Sequence, residues 1–336
     1  MDTLFVLIVL IAIFAFAFDF INGFHDTANA IATSVSTKAL PPKVAIALAA
    51  TMNFVGALTF TGVAKSISKD IVDPFQFSDG KIGLTIVLSA LISGIAWNLV
   101  TWYFGIPSSS SHAIIGSIAG AAISAKGFGV LNYGGFVKII EALIISPFVA
   151  LAVGFIIMTL FAAIFKNFNK TKTNKGFRSF QVFTAALQSF SHGTNDAQKA
   201  MGIITLALVS GKYLNDSDGI PMWVRFGAAL AMGIGTSIGG WKIIKTVGGK
   251  IMKLQPVNGA AADLSSSIII FTFTALKLPV STTHVISSAI MGVGSAKRVK
   301  GVKWGVARRI VMTWIITLPI SAIVASIIYQ ILHLFV

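Results

Sequence analysis

The sequence predicts an all-α polytopic membrane protein, arranged as an inverted-topology repeat with broken helices and two helical hairpins. Apolar segments of about 20 residues, the length that spans a bilayer core, recur along the whole chain. Short polar motifs occur twice and in the same order. Basic residues concentrate in alternate loops, which is the usual sign of membrane topology.

The composition leaves no room for a soluble domain of useful size. The 336 residues are 55% hydrophobic and 11% charged, and the mean hydropathy is +0.85. The net charge of +15 is spread over short loops between apolar segments, which indicates topology rather than nucleic-acid binding. We expect no cleavable signal peptide in residues 1–18, which lack a basic start and a small-residue cleavage site.

An internal repeat divides the chain into two halves. The stretch "NGFHDTANA" (22–30) resembles "HGTNDAQKA" (192–200), and "PSSSSH" (107–112) resembles "PVSTTH" (279–284). We therefore expect a first repeat at 1–165, a basic linker at 166–177 and a second repeat at 178–336. The aligned pairs include Gly23 with Gly193, Asp26 with Asp196, and Asn29 with Lys199.

The basic linker orients the two halves in the membrane. Loops rich in Lys and Arg stay in the cytoplasm, so the linker is expected there. The acidic loops at 66–81 and 215–219 then lie outside, as do the N- and C-termini of this multi-pass plasma-membrane protein. The halves thus run in opposite orientations, which is typical of secondary transporters.

Two segments are too long for one straight membrane span. At 1.5 Å per residue, segment 3–37 would reach about 52 Å, and segment 178–209 is similar. We expect each to be interrupted at its Gly-containing motif, because broken helices are tolerated where they line a cavity. Pro107 and Pro279 should lie at the tips of two hairpins, which either re-enter or span the membrane. The hairpin arms are expected at 82–104 with 109–125, and at 256–276 with 282–296.

Each hairpin motif opens a new helix shortly after its proline. Ser109 and Ser281 are expected N-caps, and the unpaired N–H groups of a helix N-terminus attract anions. Two such termini facing each other would clamp a tetrahedral oxyanion. The alternative is that the hydroxyls only cap two turns. The candidate anion ligands are Ser109, Ser110, Ser111, His112, Ser281, Thr282, Thr283 and His284.

The repeated Asp motifs suggest cation sites. Carboxylate and amide oxygens suit Na⁺, whereas a carboxylate that protonates would serve H⁺, with His25 as a relay. The alternative for Asp196 is an ordinary helix pair with Lys199. Asp263, without an acidic counterpart in the first half, suggests an extra cation site or an interfacial loop end. The candidates are Asn22, Asp26, Asn29, Asn195, Asp196, Gln198 and Asp263, with sodium expected at Asp26, Asn29, Asn195 and Asp196.

At these motifs the sequence resembles the inorganic phosphate transporter family, whose signature is roughly G-A-N-D-x-A-N-A in each half. The stretches "GFHDTANA" and "GTNDAQKA" are similar to its prokaryotic variants, and both hairpin motifs resemble the family's pattern. The resemblance covers almost the whole chain. It implies a phosphate symporter with an inverted repeat, driven by Na⁺ or H⁺, in which Asp26 and Asp196 are the essential acids. Some members carry Glu at the position of Asp263, and sulfate permeases share the fold.

The expected function is therefore a cation-coupled symporter, with Na⁺ favoured, that takes up inorganic phosphate by alternating access. An H⁺-coupled phosphate carrier, a sulfate or oxyanion permease and an anion channel remain alternatives. A hydrolase using Ser111 or Thr283 is disfavoured, because the candidate nucleophile is duplicated and no G-x-S-x-G elbow is present. We expect no enzyme activity, no cofactor and no nucleic-acid partner; the partners are phosphate, the cation and the lipid bilayer, with a homo-oligomer left open.

Overall fold

The computed structural model describes residues 3–72, 80–215 and 217–335, and these are largely α-helical. Asp73, Asp79 and Asp216 of the acidic loops lie outside the described residues. The helices of the N-terminal half are α1 (Thr3–Ser36), α2 (Pro42–Ala57), α3 (Gly62–Lys69), α4 (Gly80–Phe104), α5 (Ser110–Lys126) and α6 (Tyr133–Ile164). Those of the C-terminal half are α7 (Lys170–Asp196), α8 (Gln198–Ser210), α9 (Met222–Ile238), α10 (Trp241–Lys245), α11 (Pro256–Ala275), α12 (Thr282–Lys297) and α13 (Trp304–Leu332).

Two of the long apolar helices, α6 and α13, expose much of their apolar surface, as expected for contact with lipid. Helices α1, α4, α6 and α13 are each long and apolar enough to cross a membrane, and α2 and α9 are shorter apolar helices. On α6 and α13, large apolar side chains are exposed, for example Phe148 and Ile315. The polar motif residues are instead buried. This arrangement confirms the predicted class of an all-α polytopic membrane protein.

Both predicted hairpins are present. Helices α4 and α5 pack together, as do α11 and α12, with Pro107 and Pro279 in the connecting turns. The predicted N-caps are confirmed: the Ser109 hydroxyl accepts from the backbone N–H of His112 at 3.1 Å, and Ser281 accepts from that of His284 at 3.2 Å. Each cap satisfies one of the unpaired donors at a helix start.

The predicted interruption of the long segments is correct in one half and wrong in the other. Helix α1 runs unbroken through the first Asp motif. In the second half, α7 ends at Asp196, and α8 begins after the single turn residue Ala197. The side-chain amide of Gln198 donates to the carbonyl of Thr194, the acceptor that the backbone N–H of residue 198 would use in a continuous helix. The first copy has an alanine instead of a glutamine at the aligned position 28.

Most of the basic segment 166–177 is helical. Helix α7 begins at Lys170, where the Asn169 side chain caps it. This side chain accepts from the backbone N–H groups of Thr171 at 3.0 Å and Lys172 at 3.2 Å. Only the first residues of the 166–177 segment connect α6 to α7 as a turn.

Helices of the two halves pack on each other in matched pairs. Helix α5 packs against α13 and α6 against α12, while α1 packs against α9 and α2 against α7. A Cβ on Gly23 would collide with the backbone of α9 at Met232, and a Cβ on Gly193 would collide with that of α2 at Asn53. Small residues allow membrane helices to approach closely. The aligned glycines thus bring each Asp motif against the opposite half.

Candidate anion and cation site

The tips of the two hairpins meet in the interior. The ring centroids of His112 and His284 are 4.4 Å apart, and the Ser111 hydroxyl donates to the Val280 carbonyl at 2.7 Å. His284 also stacks on Trp314 of α13 at 3.9 Å between centroids. These contacts place the first turns of α5 and α12 next to each other, as a clamp for an anion requires.

Asp26 accepts hydrogen bonds from both hairpins. Its Oδ2 accepts from the Ser110 hydroxyl at 2.5 Å, and its Oδ1 accepts from the Thr283 hydroxyl at 3.2 Å. His25 Nδ1 lies 2.6 Å from Asp26 Oδ1. The Asn29 amide donates to the Thr283 hydroxyl at 2.9 Å. The carboxylate is only 1% exposed and is thus enclosed by polar groups.

Asp196 has the ion pair that the sequence left open as an alternative. Lys199, in the first turn of α8, places its Nζ 3.0 Å from Asp196 Oδ1. The other carboxylate oxygen accepts from the Asn22 amide at 3.3 Å and from the Thr282 hydroxyl at 3.1 Å. His192 Nε2 is also 3.3 Å from this oxygen. The second carboxylate therefore has a cation of the chain itself as a neighbour.

The candidate anion ligands and the candidate cation ligands form one connected cluster. Lys199 Nζ donates to the Ser110 hydroxyl at 2.7 Å, and this hydroxyl in turn donates to Asp26. The pairs Ser110 with Asp26 and Thr282 with Asp196 occupy aligned positions in the two halves. The cluster is thus built from corresponding residues of both halves. From the sequence, the anion ligands and the cation ligands were expected to form separate sites.

Two candidate cation ligands hold neighbouring helices in this conformation. The Asn195 amide donates to the Thr274 hydroxyl at 3.0 Å, and its oxygen accepts from the Val280 N–H at 3.4 Å, which fixes the second hairpin tip. The Gln198 oxygen accepts from the Ala64 N–H at the start of α3 at 3.0 Å. Their roles as cation ligands stay predictions.

Asp263 is a separate buried carboxylate on α11. It is 1% exposed and accepts from the Thr33 hydroxyl at 2.6 Å and from the Thr184 hydroxyl at 3.2 Å. Asp263 is therefore enclosed between α1, α7 and α11, and the alternative of an interfacial loop end does not describe it. Within the described part of the chain, no three His, Cys, Asp or Glu side chains are grouped to hold a metal ion. The oxygens beside Asp263 are the hydroxyls of Thr33 and Thr184.

Sequence reasoning missed two buried residues of this region. Asp19 is fully buried on α1, and neither carboxylate oxygen has a hydrogen-bond partner among the described residues. His192 contacts Asp196, and its Nδ1 also lies 3.1 Å from the Asn53 side-chain oxygen. The signals were visible: Asp19 is an acid within an apolar run, and His192 aligns with Asn22 in the repeated motif.

Comparisons with known proteins agree with the resemblance. A model of the phosphate transporter family matches residues 22–174 and 163–325. A Bacillus subtilis (strain 168) protein described as "Probable low-affinity inorganic phosphate transporter" is 65% identical over 334 residues, covering 99% of each chain. A Rhizobium meliloti (strain 1021) protein with the same description is 42% identical over 324 residues, which are 96% of this chain and 95% of its own.

The fold is also similar to a solved structure. It is described as "The sodium-dependent phosphate transporter", and the match has a TM-score of 0.87 at 25% identity. It covers 98% of this chain and 100% of the other. Because the family model and the sequence relatives both cover most of the chain, the protein belongs to the phosphate transporter family.

Proposed function

We propose that this chain is a cation-coupled symporter that takes up inorganic phosphate across the plasma membrane by alternating access, with Na⁺ as the favoured cation. Its relatives are described as inorganic phosphate transporters, and the similar solved structure is described as sodium-dependent. The observation that carries the proposal is the set of hydrogen bonds from hydroxyls of both hairpins to Asp26 and Asp196.

The shared hydroxyls give a physical reason for coupling. Each hydroxyl has one hydrogen to donate, and those of Ser110, Thr282 and Thr283 now point at carboxylates. A phosphate entering the cluster would add negative charge beside two carboxylates, which is unfavourable in a low-dielectric interior. A cation at the carboxylate would offset this repulsion and free the hydroxyls to donate to phosphate. Cation and anion would then bind together.

The proposed ligands follow from this arrangement. Phosphate would be held by the first turns of α5 and α12, through Ser109–His112 and Ser281–His284. The cation would be held at the Asp motifs, through Asn22, Asp26, Asn29, Asn195, Asp196 and Gln198, with Asp263 as a further cation site. For sodium we propose Asp26, Asn29, Asn195 and Asp196.

Alternating access requires the enclosed cluster to open. Asp26 is 1% exposed and Asp196 is fully buried, so phosphate enters only when hairpins or helices move. We infer an inverted repeat of residues 1–165 and 178–336, joined at 166–177, and the matched packing of α5 with α13 and α6 with α12 supports it. Two halves of opposite orientation can open the site to either side by equivalent motions. The termini would be extracytoplasmic and the linker cytoplasmic.

A second candidate is an H⁺-coupled phosphate carrier. His25 lies 2.6 Å from Asp26, so a proton could pass between the two side chains. Asp19 is a buried carboxylate without a hydrogen-bond partner among the described residues, and protonation is one way to make such a group tolerable. A proton needs one carboxylate, whereas Na⁺ needs several oxygens.

Uptake of radiolabelled phosphate into proteoliposomes tests the proposal. We expect an inward Na⁺ gradient to drive phosphate above its equilibrium level, and excess sulfate to leave uptake unchanged. Full uptake that is driven by a pH gradient, with choline in place of Na⁺, would show that the coupled cation is H⁺ and not Na⁺. Equilibration without accumulation under either gradient would contradict symport and favour a channel. Counterflow, which only a carrier shows, provides the control.

A further inference from the structure

The repeated Asp motif differs between the halves at one informative position. Asn29 of the first copy aligns with Lys199 of the second. Asn29 is neutral and donates to Thr283 at 2.9 Å. Lys199 is charged, yet it is only 1% exposed. Lysines in membrane proteins usually extend their charged ends towards water, so a lysine held in the interior requires a partner and suggests a function.

The Lys199 ammonium occupies the position where a cation would bind the second carboxylate. Its Nζ lies 3.0 Å from Asp196 Oδ1 and 2.7 Å from the Ser110 hydroxyl. The first oxygen belongs to the Asp196 carboxylate and the second to the tip of the first hairpin. A free cation would have to bind between these two groups. A free cation at the same carboxylate oxygen would be repelled by the ammonium. Among the described residues, Asp26 of the first half has His25 at 2.6 Å and forms no ion pair with a lysine or arginine.

We propose that Lys199 is a tethered cation that takes the place of one free coupling cation at Asp196. Only the Asp26 half would then bind a free cation at the central cluster, and Asp196, proposed above as a sodium ligand, would have the Lys199 ammonium in place of sodium. Each phosphate would be carried with one free cation fewer than in a protein with a neutral amide at both aligned positions. This inference rests on the proposed function, because it concerns the number of cations moved with phosphate.

A competing role for Lys199 is direct binding of phosphate, since ammonium groups bind phosphate as point charges. The two roles predict different effects of removing the charge. A phosphate ligand, when removed, raises the KM for phosphate and leaves the number of coupled cations unchanged. A tethered cation, when removed, leaves Asp196 free to bind another cation, and the number of coupled cations increases.

The test compares Lys199→Asn, which makes the second motif match the first, with the wild-type protein. Both are reconstituted in proteoliposomes, and the potential at which net phosphate flux reverses gives the charge moved with each phosphate under fixed Na⁺ and pH gradients. We expect the variant to move one more positive charge per phosphate. Lys199→Arg, the control, keeps the charge and should keep the wild-type ratio. An unchanged ratio in Lys199→Asn, with or without a raised KM, would overturn the proposal.

If Lys199→Asn folds but does not transport phosphate, cation binding can be measured instead. The melting temperature of the purified proteins is followed as Na⁺ replaces choline, and separately as the pH is lowered. Lys199→Asn should gain cation-dependent stabilisation, by Na⁺ or by H⁺, that the wild type lacks; no gain with either cation would contradict the tethered cation. A wild-type protein that carries no phosphate under any gradient would instead refute the proposed function, so the two failures are distinguishable.

Discussion

Replacing Ser110 by alanine should weaken phosphate binding about 10- to 150-fold while leaving the fold intact. The Ser110 hydroxyl donates to Asp26 at 2.5 Å and accepts from Lys199 at 2.7 Å, so it contacts two charged groups at the hairpin tip. When phosphate is bound, we expect this hydroxyl to donate to a phosphate oxygen. A hydrogen bond to a charged group contributes about 1.5–3 kcal/mol, which corresponds to the stated range in affinity.

The assay is the KM for radiolabelled phosphate in proteoliposomes at saturating Na⁺. Thr282→Ala provides the aligned replacement in the second half and should give an effect of the same size, since Thr282 donates to Asp196 at 3.1 Å. Ser117→Ala is the matched control. Ser117 is a buried serine two turns further along α5, and its hydroxyl donates to the Ser93 hydroxyl at 3.1 Å, away from both carboxylates. Its KM should equal that of the wild type.

The melting temperatures of the three variants separate a binding effect from a folding effect. Ser110→Ala and Thr282→Ala lose a hydrogen bond to a charged group and should melt at a lower temperature than Ser117→Ala, whose hydroxyl bonds a neutral one, but all three should stay folded at the assay temperature. A wild-type KM in both Ser110→Ala and Thr282→Ala would refute the reasoning. The hydroxyls would then stabilise the two hairpin turns without binding the anion.

Three further predictions address topology, packing and the separate carboxylate. A single cysteine at Asn169, in this cysteine-free chain, should react with an impermeant maleimide only when the cytoplasmic side is accessible; labelling in intact cells would contradict the inverted repeat. Gly193→Ala should lower the free energy of unfolding by about 1–3 kcal/mol, because the new Cβ meets the backbone of α2. Gly176→Ala, with open space around its Cβ position, is the control and should leave the thermal stability unchanged or raise it. Asp263→Asn should raise the Na⁺ concentration for half-maximal uptake without changing the phosphate KM at saturating Na⁺; an unchanged Na⁺ requirement would remove Asp263 from the cation sites.

The local features of this fold could be predicted from the sequence because each depends on neighbouring residues. Ser109 and Ser281 follow a proline and precede an apolar run, which is sufficient to predict an N-cap and a helix start. The apolar segments also predicted the bounds of the hairpin helices α4, α5, α11 and α12 to within about two residues. The helix start at Lys170 was not predicted, because the basic composition of the segment is typical of a loop, although Asn169 is a residue type that caps helices.

The arrangement of the site depends on contacts between distant segments, and the sequence could not provide it. That Ser110 lies between Asp26 and Lys199 depends on where the first turn of α5 is held relative to α1 and α8. The continuity of α1 was also unpredictable from its glycine alone. Gly23 disfavours a helix by about 1 kcal/mol, but close packing on α9 offsets this cost. Only the repeat itself, which aligned Asp26 with Asp196, indicated that two distant motifs share one site.

The central claim is that the cation and phosphate bind to one shared cluster, so each must increase the affinity for the other. The most direct test is the affinity of the purified protein for phosphate, measured at several Na⁺ concentrations with choline keeping the ionic strength constant. We predict that Na⁺ tightens phosphate binding in the wild type and that Asp26→Asn abolishes this effect. A phosphate affinity that is the same at every Na⁺ concentration and every pH would contradict the shared site.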